Sequence, residues 1–122
     1  MKTIINTEKA PAPVGPYNQS VRFGDMLFIS GQVAIDPATG ALPNGLTVEE
    51  ETEQVMQNLK AILDEAGLSF EDAIKASVFV ADMNNYSRIN EVYSRYFNED
   101  TAPARELVEV ANLPKFVQVE IS

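Results

Sequence analysis

The chain has 122 residues, nine basic and eighteen acidic for a net charge of −9, and it contains neither histidine nor cysteine. This length supports one core and one domain, residues 1–122, and the acidic balance argues against electrostatically driven binding to nucleic acid or to an anionic membrane. Without Cys and His there is no disulfide, thiolate nucleophile, imidazole base or conventional zinc site, so acid–base work falls to Asp, Glu, Tyr or Lys.

No apolar run approaches a membrane span, and MKTIINTEKAP lacks the hydrophobic stretch of a signal peptide, so a cytoplasmic location is expected. KTIIN (2–6) is a short β-like run, followed by TEKAPAPVGP, which its three prolines make irregular. Tyr17 to Phe23 and Met26 to Val33 flank Gly24-Asp25 and read as a hairpin. AIDPATGALPNG (34–45) is a loop with two turn signals. TVEE (47–50) has capping-box spacing, with Thr47 as N-cap and Glu50 at N3. Val55, Leu59, Ile62, Leu63 and Ala66 then form an apolar helical stripe that Gly67 ends.

Ala73–Ala81 reads as a buried strand. Asn84 or Asn85 is positioned to cap a second helix, whose stripe is Ile89, Val92, Tyr93, Tyr96 and Phe97. Two last strands, Arg105–Ala111 and Phe116–Ile121, are joined by NLPK. The order βββαβαββ gives an α+β sandwich, about six strands with two helices on one face of the sheet. In VQVEIS, Val117, Val119 and Ile121 point under the helices while Gln118 and Glu120 point away. In ARELVEV, Val108 and Val110 are placed under the helices, leaving Arg105 and Leu107 opposite. In MLFISGQV, Leu27, Ile29 and Val33 go under the helices, and Phe28, Ser30 and Gln32 go opposite. The helix-free face should then carry Arg105, Glu120 and Ser30 among Phe28, Phe79 and Leu107. That is too apolar for open solvent and points to a homo-oligomer.

Arg105 and Glu120 on one face admit two readings. One is a cross-strand or intersubunit salt bridge, which the pattern alone favours. The other makes Arg105 a clamp for a substrate carboxylate and Glu120 a base or a holder of water. Tyr17 in GPYNQ either packs at a strand entrance or orients a water. Gly31 in SGQ marks a bulge or a close approach. Asn90 reads as a helix-face polar residue. The run Glu49-Glu50-Glu51 reads as an acidic first turn, not a metal site.

Taken together, GPYNQ, ISGQ, IDPATG, NLKAILDEAG, ADMNN, NEVYSRYF, PAR and NLPKFVQVEI resemble, in order, the motifs of the RidA family, also called YjgF, from about residue 9 to residue 121. The resemblance implies a chorismate-mutase-like fold assembled as a homotrimer with three pockets between subunits. It implies cofactor-free hydrolysis of 2-imino and 2-enamino acids, released by pyridoxal-phosphate dehydratases, to 2-oxo acids and ammonia. Carried over, Arg105 would bind the substrate carboxylate, and Glu120 and Tyr17 would position or activate water. Ser30, Gly31 and the backbone at Leu107 would line the pocket, with Asn90 nearby.

Three features depart from the family pattern. Leu107 stands where Cys or a smaller residue is common, Asn18 where Ser is frequent, and family members continue several residues past this Glu-Ile. A short last strand and a less firmly held Glu120 are therefore expected. The alternative reading is a non-catalytic trimeric 2-oxo-acid-binding or regulatory protein on the same scaffold. A ribonuclease role, associated with some relatives, fits poorly with the acidic charge and the absence of His.

Overall fold

The structure, a computed structural model, describes the whole chain from Met1 to Ser122. The Thr47 hydroxyl accepts from the Glu50 N–H, and the Glu50 carboxylate accepts from the Thr47 N–H. This capping box starts helix α1 (Val48–Glu65) as its spacing predicts. Gly67, at φ 75°, closes the helix. Its N–H reaches the Asp64 carbonyl and the Leu68 N–H reaches the Leu63 carbonyl, so two end groups are satisfied. Arg22 adds a cation at this C-terminus, donating to the Ala66 carbonyl at 2.9 Å.

Helix α2 (Tyr86–Ser94) starts differently from the expectation. Asn85 occupies the N-cap, but its side chain makes no capping bond. A short 3-10 turn, Met83–Asn85, leads into the helix instead, and Asp82 caps that turn by accepting from the Asn84 N–H. The first turn of such a segment is thus organised by a carboxylate, Asp82, upstream of both predicted caps.

Strands β1 (Lys2–Ile5), β2 (Ser20–Phe23) and β3 (Met26–Ile29) form an antiparallel meander. Strands β4 (Lys75–Val80), β5 (Ala104–Glu109) and β6 (Val119–Ile121) form a second ladder in the order β5-β4-β6, with only β4 and β5 parallel. The expected six-stranded sheet is therefore two three-stranded ladders, joined where Gln32 pairs with Ile121 through bonds of 2.8 and 3.1 Å. On its other side β6 continues to Ser122, which exchanges two bonds with Ser77.

Both helices bury their stripes against one face. Val55, Met56 and Leu59 of α1 and Ile89 and Tyr93 of α2 share a core with Ala76, Val78, Val80, Val119 and Ile121. Each fully buried Val or Ile among them contributes on the order of 1.5–3 kcal/mol relative to exposure. The phases predicted for β6 and for Leu27 and Ile29 hold.

Two other phases are corrected. Leu107 packs against the core and pairs in register with buried Val78, and Arg105 pairs with buried Ala76, so both lie under the helices. Val108, expected inside, is exposed on the opposite face beside Phe79. Leu107 and Val108 are adjacent apolar residues, and a period of two fits either phase. Likewise Gln32, expected opposite, is buried, as is Ala34, whereas Val33 is only partly so. Ile29 and Gln32 both face the core with two residues between them, so Ser30-Gly31 form the bulge that glycine in this strand suggested.

Candidate active site

Arg105 leaves edge strand β5 and runs beneath α2. Its Nη1 donates to Asn90 Oδ1 at 2.8 Å and its Nη2 to Tyr86 Oη at 2.9 Å. The guanidinium carbon lies 4.9 Å from the Tyr93 ring centroid and 5.7 Å from that of Tyr86. These aromatic faces are what makes a cation tolerable on the core side of the sheet. Arg88 and Arg95 pair with Glu49 and Glu91, but Arg105 has no carboxylate partner. Two neutral acceptors fix the plane of the fork and leave its charge uncompensated, which is the condition of an anion-binding arginine. Leu107, two residues along the same face, provides an apolar neighbour.

Glu120 is central in β6 on the helix-free face, beside Phe79. Its carboxyl is half-buried, and burial alone pushes its pKa above the ordinary glutamate value. It rests against the Ser30-Gly31 bulge so closely that a Cβ on Gly31 would lie 2.6 Å from Glu120 Oε2. Glycine is required there for the approach, not for its dihedrals. The Ser30 hydroxyl donates to the Asn18 carbonyl at 2.6 Å, tying the bulge to the segment that carries Tyr17. Tyr17 is half-exposed, and its hydroxyl accepts from the Val14 N–H at 3.4 Å.

The backbone beneath Glu120 is held by a residue that the sequence reading assigned only to a helix turn. Glu51, 5% exposed in the first turn of α1, accepts through Oε1 from the N–H groups of Gln118 and Val119 at 2.6 and 3.2 Å. Its Oε2 accepts from Gln118 Nε2 at 3.0 Å. The short strand is therefore anchored at its start by a carboxylate and along its length on both sides by β-bonds. Tyr86 was missed as well. A signal existed for it, since Tyr86, Asn90 and Tyr93 stand at i, i+4 and i+7 on one helix face.

The named residues form two groups. Arg105, Asn90 and Leu107 lie on the helix side of β5, and Glu120 and Gly31 lie on the other face with Ser30 adjoining. The registers fix this: Arg105 aligns with Ala76 and Glu120 with Phe79, positions of opposite parity in β4. The expectation that Arg105 and Glu120 share a face within one chain is overturned, and so is a cross-strand salt bridge between them. One group presents a guanidinium without an anionic partner, and the other a carboxyl of raised pKa beside the Gly31 backbone.

Comparison with known proteins gives these groups a context. A family model described as Endoribonuclease L-PSP matches residues 7–122. A RutC family protein of Pyrococcus horikoshii is 50% identical over 121 residues, covering 99% of this chain and 94% of the relative. An Escherichia coli K12 protein named "Putative reactive intermediate deaminase TdcF" is 46% identical over 123 residues, covering 99% and 94%. The crystal structure of E. coli TdcF with bound serine superposes with a TM-score of 0.90 at 45% identity, covering 98% of this chain and 94% of that one.

Proposed function

Because the chain belongs to the YjgF/RidA family, the group that the Endoribonuclease L-PSP model describes, we propose that it hydrolyses 2-imino and 2-enamino acids. The products are 2-oxo acids and ammonia, and the pockets form between copies of the chain in a homotrimer. The observation that carries this reading is Arg105, a cation held in plane by neutral Asn90 and Tyr86 with no anion of its own. A substrate carboxylate is the charge it lacks. Serine, the ligand of TdcF, presents the same group.

The assembly follows from the two half-sites. One chain cannot place Arg105 and Glu120 on the same small molecule, because they leave opposite faces of one ladder. Docking the helix-free face of one copy against the α2–β5 edge of the next brings them together and covers exposed Phe28 and Val108. Such a contact is head-to-tail, and three of them close a ring.

The chemistry asks little of the protein, since a protonated imine is already electrophilic. Arg105 holds the carboxylate and so fixes C2 of the substrate. Water attacks C2 while Glu120 takes its proton, aided by the Tyr17 hydroxyl, and a carbinolamine forms as the new C–O bond replaces the C=N π bond, whose electron pair moves to nitrogen. Protonated Glu120 then returns the proton to nitrogen. The C–N bond breaks, ammonia leaves, and the remaining O–H proton is lost as the 2-oxo acid forms. The raised pKa of Glu120 suits a group that must both accept and donate. No residue role requires a metal or an organic cofactor. Leu107 on the Arg105 face favours substrates with a short aliphatic chain, such as 2-iminobutanoate and 2-iminopropanoate. The charge of −9 and the lack of histidine favour a small anion in a single site over an RNA.

The test generates the imine in place with a dehydratase and follows 2-oxo acid and ammonia. The chain should accelerate their release over buffer, and Arg105→Ala should abolish the acceleration. Binding of 2-oxo acid that needs Arg105 but brings no acceleration would assign the chain to the non-catalytic binding alternative.

A further inference from the structure

Between β1 and β2 the chain runs through residues 6–19 without helix or strand, and none of these residues joins the core under the helices. The stretch from Pro11 to Gln19 carries Tyr17, which is half-exposed. One side chain closes this stretch into a compact loop. Gln19, only 2% exposed, accepts through Oε1 from the Thr7 N–H at 2.6 Å. Its Nε2 donates to the carbonyls of Thr7, Ala10 and Pro11 at 2.9, 3.1 and 2.8 Å, so that one N–H is shared between two acceptors.

The main chain of Gln19 is tied as well. Its N–H donates to Asn6 Oδ1 at 2.8 Å, and its carbonyl accepts from the Ser30 N–H at 2.9 Å. Asn6 Nδ2 also donates to Asn18 Oδ1 at 3.0 Å. Gln19 therefore joins three pieces of chain: the strap of residues 6–11, the loop that carries Tyr17, and the Ser30-Gly31 bulge against which Glu120 rests. A buried amide engaged at both ends fixes its neighbours in one geometry. Three prolines, Pro11, Pro13 and Pro16, stiffen the loop it clamps. The Tyr17 hydroxyl has one bond of its own, a long one from the Val14 N–H at 3.4 Å, so its place follows from that of the loop.

We propose that Gln19 is a positioning residue for the deamination: its buried amide clamps the Pro11–Gln19 loop so that the Tyr17 hydroxyl meets the water that Glu120 activates. This role presupposes the deaminase reading of the site. Gln19 touches no reacting atom and acts through Tyr17. Carboxylate binding is independent of it, since Arg105 is held by Asn90 and Tyr86.

Gln19→Met keeps the length of the side chain and removes its four bonds. Turnover is followed with the imine generated in place by a dehydratase, and binding of 2-oxobutanoate by calorimetry. In Gln19→Met, kcat should fall about ten- to a hundredfold, the effect of a displaced catalytic group, while 2-oxobutanoate binding is retained. In a Tyr17→Phe background the same substitution should cost little further, because the group it positions is already lost. Circular dichroism and melting establish that each variant is folded. Where Gln19→Met is not, Gln19→Glu, which keeps the acceptor for Thr7 and loses the three donor bonds, gives the same readout. An unchanged kcat, or a loss that multiplies with that of Tyr17→Phe, overturns the proposal and leaves the deaminase reading standing. So does a loss of 2-oxobutanoate binding that matches the loss of kcat, which would make Gln19 a support of the whole pocket and not of Tyr17. A wild type that does not accelerate 2-oxo acid release overturns the deaminase reading and this role with it.

Discussion

Glu120 has neither a hydrogen-bond donor nor a cation within its chain, and its burial disfavours the ionised form. Its folded pKa therefore exceeds its unfolded one. Below the unfolded value the carboxyl is neutral in both states and costs nothing. As pH rises through the interval between the two values, the unfolded state ionises first and stability falls. Above the folded value the penalty is complete. Glu120→Gln should accordingly raise the melting temperature at neutral pH, and the gain should vanish as pH falls below the ordinary glutamate range. The same substitution should abolish turnover. In the wild type, kcat/KM should decline on the acid side at a pH above that range. Gly31 is coupled to this residue by contact alone, since a Cβ would strike the flexible end of the Glu120 side chain and not backbone. Gly31→Ala should therefore fold normally, displace the carboxylate, and lower kcat/KM by roughly a hundredfold.

At the scale of elements, β6 is the strand that matters most, and it is only three residues long. Glu51 secures its start, with three donors on one buried carboxylate. Glu51→Ala would leave two backbone N–H groups without their acceptor, a cost of about 2–3 kcal/mol. Thermal melting should fall by roughly 10 °C. Thr47→Ala, which removes only the cap of the same helix, should cost about 1 kcal/mol. Legibility in the sequence followed the strength of the local signal. The capping box at Thr47, the Gly67 stop and the alternation of VQVEI are short-range patterns with one solution each. The phase of β5 is not, because adjacent Leu107 and Val108 satisfy both faces and Arg105 looks out of place under a helix. What seats it there is Tyr86, Asn90 and Tyr93, on another element. The bulge at Gly31 was foreseen, but its consequence, the turning of Gln32 inward, depends on a tertiary pairing with Ile121 near the far end of the chain. Glu51 read as an ordinary first-turn acid because its partners lie on β6.

For the molecule as a whole, the separation of Arg105 and Glu120 onto two faces is the central feature. A lone chain exposes Phe28 and Val108 on the face that carries Glu120, and an uncompensated Arg105 at the opposite edge. The homotrimer we propose would remove both defects in one contact and make function a property of the interface. The measurement that tests this most directly is complementation between two inactive variants, Arg105→Ala and Glu120→Ala, unfolded together and refolded as a mixture. Each mixed interface of one orientation then joins an intact Arg105 from one chain to an intact Glu120 from its neighbour. Random assembly of equal amounts should restore about one quarter of wild-type deamination per chain. If the mixture is no more active than the two variants refolded separately, Arg105 and Glu120 do not meet across copies, and the account fails.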